Sequence, residues 1–339
     1  SVFAGIAFSY MFNIFPSGLE NPSKYSTNYF SSFAASPLKL ILWHSIFIIF
    51  TCLIVGYGVI KGIGRSVSFL MPIFFIFIIL IAIYSSLIGD IDSTLFFLFN
   101  PNFSALTPNV IISAMGQAFF SLSIGMGAIM AYGAYIPENQ LIGKTVLSII
   151  LLDTFVALIA GIAIFPIVFS NSDLVINAGP SLIFETLPVA FYSLPFGNIF
   201  SVLFFVLLSI AALSSSISLL EPFTAWMEEK VKTERRIIVC ILGLLIWVIG
   251  LGSIFSFNVW AEIKFFGLNF LEGLDFLTNN IMLPVGGFFV ALLTGWVLPK
   301  RFLEENLNIN KPFFKFFFFC LRFISIGAIL LIFLYSAFL

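Results

Sequence analysis

The chain has 339 residues, 60% of them hydrophobic and 9% charged, with a formal net charge of −1. Soluble domains carry roughly 25% charged residues, so this composition belongs in lipid and excludes an ordinary cytosolic or secreted domain. The near-neutral balance gives no footing for nucleic acid, and three cysteines in apolar runs, without metal-ligand spacing, give none for a disulfide scaffold or a zinc site.

A helix needs about 20 apolar residues to cross the hydrocarbon core. Residues 1 to 15 begin apolar at Ser1-Val2-Phe3 and are too short to cross, so they read as the end of a helix. Full spans are expected at Leu38–Tyr57, Ser66–Ile88, Asn109–Tyr135, Leu141–Phe169, Phe196–Trp226, Ile237–Phe255, Leu271–Val297 and Phe314–Phe333, eight in all. Residues 16 to 37 read as a polar connection. Residues 170 to 195, with Gly179-Pro180, Pro188 and the amphipathic stretch Leu182–Leu187, read either as a surface loop or as a re-entrant cap. The cap is favoured, because its turns isolate short apolar helices that need a surface to pack against.

Alternating spans place twelve of the fifteen basic residues on one side: Lys61, Arg65, Lys144, Lys230, Lys232, Arg235, Arg236, Lys300, Arg301, Lys311, Lys315 and Arg322. That side is assigned to the cytoplasm.

The chemistry is concentrated in Gly116-Gln117-Ala118-Phe119-Phe120-Ser121-Leu122-Ser123-Ile124-Gly125-Met126-Gly127. An amide, two hydroxyls and three glycines interrupt a membrane-length run. Polar groups and open backbone at that depth need a cavity or protein around them. Ser121 to Gly127 is therefore expected to be an unwound, ligand-contacting break. Phe120 beside it is a candidate pocket wall.

Other polar groups lie within spans. Asp153 is costly in an apolar run unless it pairs or meets a cation; sodium coordination, a conformational lock and a proton site all fit. Ser214-Ser215-Ser216, after Ala211-Ala212, offers oxygens suited to a hard cation, or serines bonded back to their own helix. Glu221 precedes Pro222 and reads as support for a helix bend. His44, beside Trp43 at a span end, reads as interfacial. No nucleophile–base pair or phosphate loop is visible, and no enzyme is expected.

These stretches resemble the sodium-coupled neurotransmitter and amino-acid symporters, in their prokaryotic branch. Gly116 to Tyr135 is similar to the sixth helix of that family. Lys61-Gly62-Ile63-Gly64-Arg65 through Met71-Pro72 resembles the junction into the fifth. Leu151–Thr154 with Ala160–Pro166 resembles the seventh, Ala211–Pro222 the eighth, and Leu283-Pro284-Val285-Gly286-Gly287 with Gly295-Trp296 the tenth. The matches run in order along essentially the whole chain.

The resemblance implies an all-α polytopic fold of two inverted repeats of five helices, here partial: about eight full helices plus the end of one more. Residues 1–88 would hold the end of helix three with helices four and five. Residues 89–298 would hold the second repeat, with the broken sixth helix near 121–127 and the extracellular cap at 170–195, and residues 299–339 would hold helix eleven. It implies sodium-coupled symport of a neutral, hydrophobic amino acid across a prokaryotic cytoplasmic membrane. Phe120, Ser121, Ser123, Ile124 and Met126 would line the substrate site. Ser121 and Asp153 would help bind a first sodium, and Ala211, Ser214 and Ser215 a second. Asp275 and Gln117 would serve gating.

Ala157 stands where a chloride-independent relative can carry glutamate, and Asp153 could itself stand in for chloride, so chloride is not expected to be required. The resemblance also sets helices one and two and half of helix three before Ser1. Each sodium site would then be incomplete in this chain, and a missing N-terminal segment would be a partner. The other reading is a non-transporting fragment or partner subunit that needs those helices.

Overall fold

Hydrocarbon offers the backbone no partner but itself, so long apolar runs become helices. The computed structural model describes residues 1–12, 16, 19–137, 142–170, 180–307 and 310–338. Its helices, in chain order, are α1 (Val2–Tyr10), α2 (Pro22–Ala34), α3 (Pro37–Gly56), α4 (Arg65–Ile88), α5 (Ile91–Phe99), α6 (Pro108–Ser121), α7 (Ala128–Gly133), α8 (Ile142–Phe169), α9 (Leu187–Tyr192), α10 (Gly197–Val231), α11 (Arg235–Phe255), α12 (Phe270–Phe276), α13 (Leu283–Leu292), α14 (Lys300–Leu307), α15 (Lys311–Phe319) and α16 (Ser325–Phe338). Wider π-helical turns at Val59–Gly64, Leu277–Met282, Leu293–Val297 and Cys320–Ile324 join several of these into longer rods.

Among the described residues, seven helical stretches are long and apolar enough to cross a membrane. Eight were expected. The difference lies at Asn109–Tyr135, which forms two short helices, α6 and α7, neither of spanning length. The polar connection at 16–37 also differs from expectation, because it contains α2. Asn21 caps that helix by accepting from the Lys24 N–H at 3.0 Å, and Pro22 occupies its first turn. Residues 13–15, Leu141 and 171–179, which fall in expected elements, lie outside the described residues.

The chain divides into two compact units. One comprises Ser1–Asn100 and Ala157–Leu271. Its core joins Ile6 and Tyr10 of α1 to Phe184, Leu187, Phe191, Phe205, Ile167 and Ile254. Small residues let helices approach where no side chain would fit. A Cβ on Gly5 would lie 2.9 Å from the backbone of Trp43 and His44. His44, expected at an interface, is instead fully buried, with Nε2 3.4 Å from the Trp247 carbonyl and its ring against Gly250. The stretch 182–192 packs on α2 and α10, and Ser26 Oγ donates to the Glu185 carbonyl at 2.8 Å. Between α4 and α5, Asp90 caps α5. The Ser93 hydroxyl and N–H, both donating to it, hold its carboxyl below the usual range.

At the other end of this unit one guanidinium collects three helices. Arg235 opens α11, donates Nε–H to the Val55 carbonyl of α3 at 2.9 Å, and pairs with Glu221 and Glu228 of α10. Glu221 is fully buried and Arg235 nearly so, with 13% of its side chain exposed, whereas the Glu228 side chain is 46% exposed. Removing one partner of a buried pair strands the other charge. Arg235→Ala is therefore expected to cost about 2–4 kcal/mol of unfolding free energy, and Glu228→Ala less than about 1 kcal/mol. Unfolding midpoints in detergent check this; a wild-type midpoint for Arg235→Ala would contradict it.

The second unit comprises Pro101–Val156 and Glu272–Leu339. It holds α6, α7, the first part of α8, and the rods built on α13 and on α15 with α16. Within it α13 packs on α16, and α16 on α6.

Candidate functional site

Chain geometry first makes a hole in a helix. α6 starts on Pro108, capped by the Thr107 hydroxyl, and stops at Ser121. Residues 122–127 are turns, and α7 resumes at Ala128. Three residues there adopt left-handed backbone: Ser123 (φ 54°), Gly125 (φ 85°) and Gly127 (φ 82°). Glycine takes that conformation freely, which is why two of the three positions are glycine. The turn closes with Ser123 N–H to the Phe120 carbonyl (3.0 Å) and Ile124 N–H to the Phe119 carbonyl (3.1 Å).

Beyond those bonds the backbone is open. Among the described residues, the carbonyls of Ser121 through Met126 accept no hydrogen bond, and the N–H groups of Gly125, Met126 and Gly127 donate none. Six open carbonyls and three open N–H groups thus fall within seven successive residues. An unsatisfied carbonyl in apolar surroundings is costly without a partner, and a cation or an ammonium group supplies one. N–H groups at the head of α7 suit a carboxylate.

Side chains add a charge. Ser121 Oγ donates to Asp153 Oδ2 at 2.9 Å, so the two expected ligands of the first sodium are in contact, with Asp153 half-buried on α8. Ser123, Ile124 and Met126 are half-buried on the turn, and Phe120 is 48% exposed just before it. The turn is pressed against α13. A Cβ on Gly125 would lie 2.6 Å from the Leu283 carbonyl and 2.7 Å from the Gly287 nitrogen, and Gly286 meets the Gly125 carbonyl equally closely.

The expected gating residues lie in this unit too. Asp275 is exposed on α12 and accepts from Asn279 Nδ2 at 2.8 Å. Gln117, Phe120, Asn279, Leu283 and Tyr335 line a cavity of about 330 Å³. Asn279, which the sequence reading did not single out, bonds Asp275 and lines the same cavity as Gln117. Asn279 follows Asp275 by four residues, so the two share a helix face, and that spacing was the available signal.

The second group lies in the other unit, on α10. Ser214 Oγ donates to the Ala211 carbonyl at 2.8 Å, and Ser218 Oγ to the Ser214 carbonyl at 2.9 Å. Ser215 is exposed, and its hydroxyl makes no hydrogen bond among the described residues. Ser216 is engaged elsewhere: its Oγ is 2.8 Å from Thr51 Oγ1 on α3, and it also reaches the Leu213 carbonyl at 2.8 Å. Thr51 in turn contacts the Phe47 carbonyl at 3.1 Å. Two hydroxyl protons serve three close contacts, so one contact at any moment lacks a hydrogen. A lone threonine inside an apolar run had given no sign of this pairing. Among the described residues no three His, Cys, Asp or Glu side chains cluster as a metal set. The oxygens available are hydroxyl, carbonyl and one carboxylate, the donor type of a hard cation.

Comparison with known proteins supplies the context. The sequence model described as the sodium:neurotransmitter symporter family matches residues 32–339. The chain is 35% identical to the sodium-dependent transporter YhdH of Bacillus subtilis over 309 residues, which are 90% of this chain and 68% of that protein. It is 33% identical to a sodium-dependent transporter of Haemophilus influenzae, over 89% of this chain and 66% of the relative. Among solved structures, that of MhsT in complex with L-phenylalanine superposes with a TM-score of 0.88 at 38% identity, covering 99% of this chain and 77% of MhsT. The chain spans about two thirds of the length of these two sodium-dependent relatives.

Proposed function

This chain belongs to the sodium:neurotransmitter symporter family, a family of transporters and not of enzymes, and from that membership we propose that it takes part in sodium-driven uptake of a neutral, apolar amino acid. It is an all-α, multi-pass protein of a prokaryotic cytoplasmic membrane. The observation that carries the proposal is the open backbone of Ser121 to Gly127 beside the Ser121–Asp153 pair.

In this reading the carbonyls at the end of α6 and the Asp153 carboxylate take the first sodium. Ser121 holds that carboxylate toward the break. The Ala211 carbonyl, Ser214 and Ser215 take the second. The substrate's ammonium group meets the remaining carbonyls, its carboxylate the N–H groups at the head of α7, and its side chain Phe120, Ile124 and Met126. Those three side chains are apolar, and the neighbouring structure of MhsT holds L-phenylalanine; together they support a hydrophobic substrate. The carboxylate of Asp153 supplies negative charge beside the cation, so chloride is not needed for balance.

Sodium entering down a membrane potential contributes about 2.3 kcal/mol per charge per 100 mV. Coupling requires that sodium tighten substrate binding, and by linkage substrate must tighten sodium binding equally. A helix broken at its midpoint lets such a site open to either face in turn.

The test is uptake of radiolabelled phenylalanine, leucine and glutamate into proteoliposomes, with a sodium gradient and with potassium replacing sodium. Uptake of the apolar substrates that collapses without sodium, with glutamate not taken up, is the expected result. Sodium-independent uptake would reject the coupling, and preferred uptake of glutamate would reject the substrate class. No uptake, with no sodium-dependent binding of phenylalanine by calorimetry, would favour a non-transporting chain.

A further inference from the structure

We propose that Trp296, Lys300 and Arg322, packed over the rings of Phe314 and Phe318, form a face that binds the phosphate headgroup of an anionic phospholipid. All five residues belong to the second unit and none takes part in the substrate or sodium sites proposed above. Phe314, Phe318 and Arg322 follow one another at intervals of four along the rod Lys311–Tyr335, so they form one stripe. Lys300 Nζ lies 5.9 Å and 5.5 Å from the ring centres of Phe314 and Phe318. The Arg322 guanidinium stacks 3.8 Å from the Trp296 ring centre. Two cations are thus fixed on the same stripe by aromatic rings.

Their depth is set by the sequence. Arg322 lies eleven residues into its rod, about 16 Å along the helix. Trp296 is the penultimate residue of the membrane-length stretch Phe270–Val297, where tryptophan marks the lipid–water boundary. Arg322, whose Cα lies beside Gly295 and whose carbonyl faces the Trp296 indole, therefore sits at the level of that boundary. Gly295 makes this possible, since a Cβ there would already lie 3.3 Å from Arg322 Cα. The indole N–H faces the Arg322 carbonyl at 3.4 Å, which fixes the ring beneath the guanidinium.

Neither cation is neutralised. Among the described residues, the ion pairs are those of Arg235, and neither Lys300 nor Arg322 has one. Glu304 and Glu305 of α14 stand four residues after Lys300 and Arg301 without pairing to them. Arg322 Nε is buried with no hydrogen-bond partner, so the donors open to a ligand are its two Nη groups. Two unpaired cations at headgroup depth, one with a planar fork of open donors, match a lipid phosphodiester: the fork takes two phosphate oxygens and the ammonium a third. Phe314 is buried beneath the cations, and the exposed rings of Trp296 and Phe323 on either side of Arg322 offer the apolar surface for acyl chains.

The test uses the full chain in nanodiscs of phosphatidylcholine, with spin-labelled phosphatidylglycerol or phosphatidylcholine as probe. Wild type is expected to immobilise the anionic probe preferentially, with each cation contributing about fivefold. Lys300→Gln alone, at an exposed helix start, should lose about that factor, and Lys300→Gln with Arg322→Gln should abolish the preference. Arg322→Lys should restore part of it, and Lys311→Gln should leave it unchanged. Equal preference in wild type and the double variant would overturn the proposal. So would displacement of the anionic probe by millimolar inorganic phosphate, which would mark a site for a free anion.

Discussion

Replacing Asp153 with alanine is expected to raise the sodium concentration for half-maximal uptake by up to about a thousandfold, which at physiological sodium amounts to loss of transport. The open carbonyls of Ser121 to Met126 are dipoles, and among the described residues Asp153 is the one full negative charge in contact with that segment. At about 4 Å and an effective dielectric near 20, a carboxylate attracts a monovalent cation by about 4 kcal/mol, roughly three decades of affinity. Asp153→Asn keeps an acceptor for Ser121 but removes the charge, so it should fall between alanine and wild type. Ser121→Ala removes the positioning bond and should cost about tenfold or less. The measurement is sodium titration of substrate binding and of uptake. Wild-type sodium dependence in Asp153→Ala would remove the carboxylate from the mechanism.

Gly125→Val should destabilise the protein by about 2–5 kcal/mol, the sum of a left-handed backbone forced on a β-branched residue and overpacking against fixed atoms. The atoms in the way are backbone, the Leu283 carbonyl and Gly287 nitrogen at 2.6 and 2.7 Å, so rotation of a side chain offers no relief. Gly133→Ala is the control: nothing lies within 4 Å of its Cβ, and α7 ends there. Thermal melts in detergent and substrate binding should separate the two. If the Gly125→Val protein melts with wild type, the turn is not held against α13 as described.

The fold class was legible because hydrocarbon narrows the choices. Runs such as Leu38–Tyr57 and Ile237–Phe255 can only be helices, and the helices stand within two or three residues of those bounds. α2 was not legible, because Ser, Asn, Tyr and Thr dominate it and carry no apolar period; its signal was the Asn21-Pro22 start. The π-turn at Val59–Gly64 was equally hidden. Gly62 is needed there because a side chain would strike the Ile54 carbonyl, a contact fixed by three-dimensional packing.

The candidate site divides in the same way. Ser121 and Asp153 could be named from their chemistry, since a hydroxyl and a carboxylate in apolar runs demand partners. Their pairing across 32 residues needed the structure. Asn279 was missed because an amide near a helix end is unremarkable until its neighbour is an acid. Arg235 was read only as a cytoplasmic charge. Its grip on Glu221 and on the Val55 carbonyl depends on three chain segments meeting, which no local pattern records.

The Thr51–Ser216 contact reaches further than its size. Successive residues on a helix are turned by about 100°, so Ala211 and Ser214 fall on the side of α10 opposite Ser216, and Ser215 lies a quarter-turn round. A hydroxyl contact on the back of the rod therefore bears on the azimuth of the side proposed to meet the second sodium. Loosening position 51 is expected to change how the rod presents those oxygens, although Thr51 itself is none of the residues proposed to hold sodium.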